Sequence, residues 1–102
     1  MKIISKGSGK KLPFNLDAEL IYNAKTFDIV YLSFKPNEVL APHSNDVDVI
    51  FVVLSGNGIF IYENEMHEVK QYDIISVEKY KLRGWSNTNN SLLNLLVLRS
   101  SS

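Results

Sequence analysis

Apolar and β-branched residues come in short runs along most of the chain, and each run ends at a cluster of turn formers. Side chains on a strand point alternately to opposite faces, so closely spaced runs of this kind predict a β-sandwich or barrel. Residues 20–22 and 27–34 are the first two strands, parted by Asn23-Ala24-Lys25-Thr26. Lys35-Pro36-Asn37-Glu38 predicts a type II turn, because proline presets φ at the first central position and asparagine tolerates a left-handed second one. Residues 47–54 are strongly β-branched and stop at Ser55-Gly56-Asn57-Gly58, which predicts a hairpin into residues 58–63. Asn64-Glu65 turns the chain again, and residues 66–70, 74–77, 80–85 and 92–98 complete the series of about nine strands, with Asn87-Thr88-Asn89-Asn90 as the last polar turn. Only residues 12–20 predict a helical turn, capped by Asn15 or Asp17. The expected fold class is all-β, a small antiparallel barrel whose closure removes exposed strand edges.

A length of 102 residues predicts one domain, 1–102, with room for a modest core and no second module. Eleven basic and eleven acidic side chains cancel, so no long-range field attracts nucleic acid or an anionic membrane, and neither is expected as a partner. The longest apolar run, residues 49–54, is far short of the ~20 residues that cross a bilayer as a helix. The basic N-terminus is followed by no apolar stretch of signal length, which reads as a cytoplasmic start, and Ser100-Ser101-Ser102 reads as a frayed end. Cysteine is absent, so disulfides and thiolate ligands are excluded and His43 and His67 are the only imidazoles.

Two segments carry a resemblance. Pro36-Asn37-Glu38, His43-Ser44-Asn45 and the run from Asp48 to Gly58 are similar to a glycine turn, His-x-His, a glutamate and a Val-Leu-x-Gly turn. Tyr72-Asp73-Ile74-Ile75-Ser76-Val77, then Arg83-Gly84-Trp85-Ser86-Asn87, are similar to a Gly-Asp strand opening followed by His-x-aromatic-x-Asn. In this order they resemble the first and second motifs of the cupin family, over residues 36–99. The resemblance implies a double-stranded β-helix of jelly-roll type. It also implies a metal site of three histidines and a glutamate, whose positions fall here on His43, Asn45, Val49 and Arg83. One of these four is a competent ligand of the family type. An isopropyl group donates no electrons, and a guanidinium repels a divalent ion, so no metal and no cofactor is expected. Asp48 is next to the glutamate position but on the opposite face, unless a β-bulge between Asn45 and Asp48 turns it inward.

What replaces the metal ligands is more apolar and more cationic. Alternation puts Arg83, Trp85 and Asn87 on one face, with Leu82, Gly84 and Ser86 on the other. The expected pocket is lined by His43, Asn45, Val49, Phe51, Arg83, Trp85 and Asn87 and takes a small organic anion or a sugar, with the guanidinium fork pairing the two oxygens of a carboxylate. The leading reading is a metal-independent small-molecule binding or sensing module. The alternatives are a small cupin enzyme, metal-dependent or of metal-free epimerase type with His43 as base, or a scaffold whose pocket is filled by side chains. A homodimer is expected in each case, since a small chain gains by sharing apolar area.

Overall fold

A computed structural model describes residues 1–100. Ten strands make two antiparallel sheets, and no helix occurs among the described residues. The strands are β1 (Lys10–Lys11), β2 (Asp17–Asn23), β3 (Phe27–Phe34), β4 (Val39–His43), β5 (Val49–Ser55), β6 (Gly58–Tyr62), β7 (Glu65–Val69), β8 (Ile74–Val77), β9 (Arg83–Ser86) and β10 (Leu93–Ser100). The large sheet runs β1-β2-β3-β10-β5-β8 and the small one β4-β9-β6-β7.

The pairing is that of one long ribbon doubled back on itself. At its tip, β6 and β7 form a hairpin across Glu63 and Asn64, both at positive φ (47° and 69°). Away from the tip, β5 pairs with β8, β4 with β9 and β3 with β10. Because β5 and β8 lie in one sheet while β4, β9, β6 and β7 lie in the other, the ribbon coils around a shared interior.

That arrangement corrects the hairpin expected at Gly56-Asn57. Strands β5 and β6 flank this turn but belong to different sheets, so it is a corner and not a hairpin. Gly56 has φ +85°, and a Cβ there would collide with the Leu92 carbonyl. The turn chemistry is therefore real, but what it packs against, Leu92 and Leu93, sends the chain across to the other sheet. The type II turn forms as expected, with Asn37 at φ 70° and the Glu38 amide donating to the Lys35 carbonyl at 3.0 Å.

The helical turn expected at residues 12–20 is also corrected. Asp17 opens β2, where Ala18 and Leu20 pair with Leu32 and Val30 of β3. Ladder pairing along a neighbouring strand outweighs a weak helical signal. Asp17 caps nothing; it lies 3.6 Å from Lys6 and 3.9 Å from Lys11. Ser100 ends β10 opposite Phe27, while Ser101 and Ser102 lie outside the described residues.

Packing between the sheets follows strand parity. Val30, Leu32 and Phe34 of β3, Phe51 and Val53 of β5, and Leu93, Leu95 and Val97 of β10 face inward and are buried. Trp85 of the small sheet meets Phe34, Phe51 and Phe60 at centroid distances of 6.5, 5.3 and 5.0 Å. Outside the barrel, the buried Glu19 carboxylate accepts from the Gly7 amide at 2.9 Å and the Gly9 amide at 2.6 Å, tying the N-terminal segment to β2.

Close approach of β4 and β9 depends on Gly84, where a Cβ would lie 2.7 Å from the Leu40 oxygen and 2.9 Å from the Pro42 nitrogen. Both are backbone atoms that cannot step aside. Gly84→Ala is expected to lower the unfolding free energy by about 1–3 kcal/mol, the range for overpacking, read from urea midpoints. Unchanged stability would show that β4 is free to move away.

Candidate functional site

Arg83 opens β9 between two partners, paired with His43 of β4 on one side and Tyr62 of β6 on the other. Its parity with Trp85 turns the side chain inward, where only 4% of its surface remains exposed. Nη1 donates to the His43 carbonyl at 3.2 Å. With the Asn45 carboxamide oriented to satisfy both of its ends, its oxygen accepts from Nη2 at 2.7 Å and its nitrogen donates to the Ser44 carbonyl at 3.1 Å. Nε is buried and has no acceptor. Among the described residues, no carboxylate lies within ion-pair distance of this guanidinium. Burial, with the like charge of Arg99 adding to it, pushes the pKa of Arg83 below the ordinary arginine value.

Beside Arg83 is a cavity of about 40 Å³. Val30, Leu32, Phe51 and Val97 form its apolar wall, Leu12 and Phe14 lie across it from the β1–β2 connection, and His43, Asn45 and Arg99 are its other polar residues. Arg99 is already committed, since its Nε and Nη2 reach the two carboxylate oxygens of Asp28 at 2.8 and 3.1 Å. Grooves of about 460 and 480 Å³ elsewhere are lined mainly by exposed or partly exposed side chains, and neither holds a buried charge.

Of the residues expected at the site, His43, Asn45, Phe51 and Arg83 meet around this cavity. Val49 and Trp85 are buried in the core without lining it. Asn87 is fully buried but serves a turn: its Nδ2 donates to the Phe34 and Ser91 carbonyls at 3.0 and 2.9 Å, and its Oδ1 accepts from the Asn89 amide at 3.1 Å. Both amide protons are spent on main-chain carbonyls, so it has no donor to offer a ligand. No bulge brings Asp48 inward. Val49 faces the core, and the exposed Asp48 carboxylate accepts from the Lys79 amide at 2.9 Å. His67 is on β7 opposite Phe60, half exposed and 4.0 Å from Glu65.

Sequence reasoning missed Asp28, Arg99, Leu12 and Phe14. A signal for the first two existed: Asp28 shares parity with Val30, Leu32 and Phe34, and Arg99 with Leu93, Leu95 and Val97. Their pairing across 71 residues needed the β3–β10 register.

The divalent ion implied by the resemblance does not fit these residues. At the four ligand positions, Val49 is hydrocarbon, Arg83 is a cation, and the Asn45 oxygen is engaged by Arg83. His43 Nδ1 is bonded to the Ala41 carbonyl at 3.1 Å, which leaves one imidazole nitrogen. Among the described residues, no three His, Cys, Asp or Glu side chains gather as a metal site.

No family model matches the chain. Its fold, in contrast, is shared with solved structures. The polyketide cyclase RemF from Streptomyces resistomycificus superposes with a TM-score of 0.86 at 16% identity, over 100% of this chain and 80% of that one. An RmlC-like cupin from Shewanella frigidimarina gives 0.84 at 12% identity, over 100% and 93%. KdgF from Halomonas sp. gives 0.78 at 15% identity, over 92% and 86%. Identities this low carry the fold and not the chemistry. The coiled ribbon of antiparallel strands, divided between two sheets, has the double-stranded β-helix fold of cupin structures.

Proposed function

We propose that the chain is a metal-independent binding or sensing protein for a small organic anion, held inside the barrel beside Arg83. One observation carries this reading: a buried guanidinium without a carboxylate partner among the described residues, next to a cavity with apolar walls. A buried, uncompensated charge costs several kcal/mol even after relaxation, a large fraction of the stability of a small domain. The carbonyls of His43 and Asn45 solvate the cation without neutralising it. An anion in the adjoining cavity would do so through space, more strongly than in bulk water because the guanidinium itself is buried. The apolar wall would cover the rest of the ligand.

Two measurements test this. A carboxylate with millimolar affinity, added at 10 mM to the wild-type protein, should stabilise it by about 1.4 kcal/mol and raise Tm by several degrees. No response to any small carboxylate would end the anion reading. The second uses Arg83→Met, which removes the charge and keeps most of the volume. If Arg83 is retained for binding, this variant should be as stable as wild type or more so, by about 1–4 kcal/mol, and should lose the response to anions. Strong destabilisation with the response intact would make Arg83 a structural residue.

We infer in addition that two copies pair. On the outer face of the large sheet, Ile29, Tyr31, Ile50, Val52, Leu96 and Leu98 lie in two adjacent rows across β3, β10 and β5. Ile50 is 41% exposed, and Ile3 of the N-terminal segment 84%. A neutral chain of this size has no charge repulsion to keep such faces apart, and covering them adds to a modest core. Sedimentation at micromolar concentration should give a dimer, and Ile50→Asp should shift it to monomer. A wild-type monomer under these conditions would refute the pairing.

A further inference from the structure

The charges around the cavity define more than a preference for anions. Four charged or titratable side chains belong to this end of the barrel: Arg83, Arg99, Asp28 and His43. Arg99 and Asp28 form a two-pronged pair, directly opposite each other on β10 and β3, and cancel. Arg83 alone is left over. Apart from His43, the site carries a single positive charge.

Resting on the anion reading above, we propose that the site is matched to one negative charge and takes monocarboxylates of two or three carbons in preference to dianions. The volume sets the length. About 40 Å³ is room on the order of three waters, comparable to a carboxylate with a short tail. The wall sets the chemistry of the tail: beyond the polar group the ligand meets Val30, Leu32, Phe51 and Val97, which reward methyl and methylene groups. A second carboxylate would be pressed against that same wall. The guanidinium of Arg99 cannot receive it without leaving Asp28, which would strand a partly buried carboxylate in turn.

Asp28 is thus a specificity-determining residue that need not touch the ligand. It withholds a second cation from the pocket, and without it the site would carry two positive charges.

The test is calorimetric titration at pH 8 and low salt with acetate, propionate and butyrate, against oxalate, malonate and succinate, on wild-type protein, Asp28→Asn and Arg83→Met. For wild type, affinity should rise about fourfold from acetate to propionate and gain nothing further at butyrate, which outgrows the cavity. Each dianion should bind about tenfold or more weakly than the monocarboxylate of equal carbon number. Asp28→Asn should improve dianion binding about tenfold and reverse or close that gap, with smaller effects on monocarboxylates. Arg83→Met should bind neither class. If wild type binds dianions as tightly as monocarboxylates, and Arg83→Met abolishes both, the charge matching is wrong while the anion reading stands. If wild type binds neither, the anion reading itself fails. The comparison of ligands on wild type needs no variant, and unchanged selectivity in a folded Asp28→Asn would remove Asp28 from the specificity.

Discussion

Two sheets whose ladders remain separate are held together by the side chains between them, and the centre of that contact is Trp85. It stands on the small sheet and reaches Phe34 and Phe51 on the large one, so its ring joins layers that the backbone pairing leaves apart. Burial of an aromatic side chain of this size contributes more than most single residues of a small domain. Its indole N–H is buried without an acceptor, a polar cost that accompanies full burial of the ring.

Strand geometry makes the site a consequence of that packing. On β9 the chain must turn Trp85 into the core, and two residues earlier the same parity turns Arg83 into the interior. The small sheet cannot hold the aromatic contact and release the guanidinium to solvent without breaking the register with β4 and β6. Stability and chemistry are linked through one alternation, and the charge is maintained at the expense of the domain's marginal free energy.

Much of this was legible in the sequence, because alternation is local. Parity alone placed Arg83 and Trp85 on the inner face and Asp48 on the outer one, and the turn formers at Pro36-Asn37 marked a real turn. What was not legible depended on distant partners. Gly56 signals a tight turn equally well in a hairpin or a corner, and the choice was made by Leu92 and Leu93. Asn87 has the right parity for a ligand, but its amide was claimed by Phe34 and Ser91 carbonyls that only the folded chain brings near. The Arg99–Asp28 pair joins residues 71 apart in sequence, facing each other on the two arms of the ribbon.

Glu19 holds the N-terminal segment in a different manner from any of these. Its carboxylate is bonded to the main-chain amides of Gly7 and Gly9 and to none of that segment's side chains. Recognition of this kind reads the path of the backbone and ignores the identity of the residues along it. Ser5 and Ser8, and at little cost Lys6 with its exposed pair to Asp17, can therefore drift in sequence while the segment stays moored, provided that Gly7 keeps its positive φ and Gly9 its contact with Leu20. The constraint is concentrated in one acid and two glycines, and an arm nine residues long is free to acquire new surface chemistry without renegotiating its attachment to the barrel.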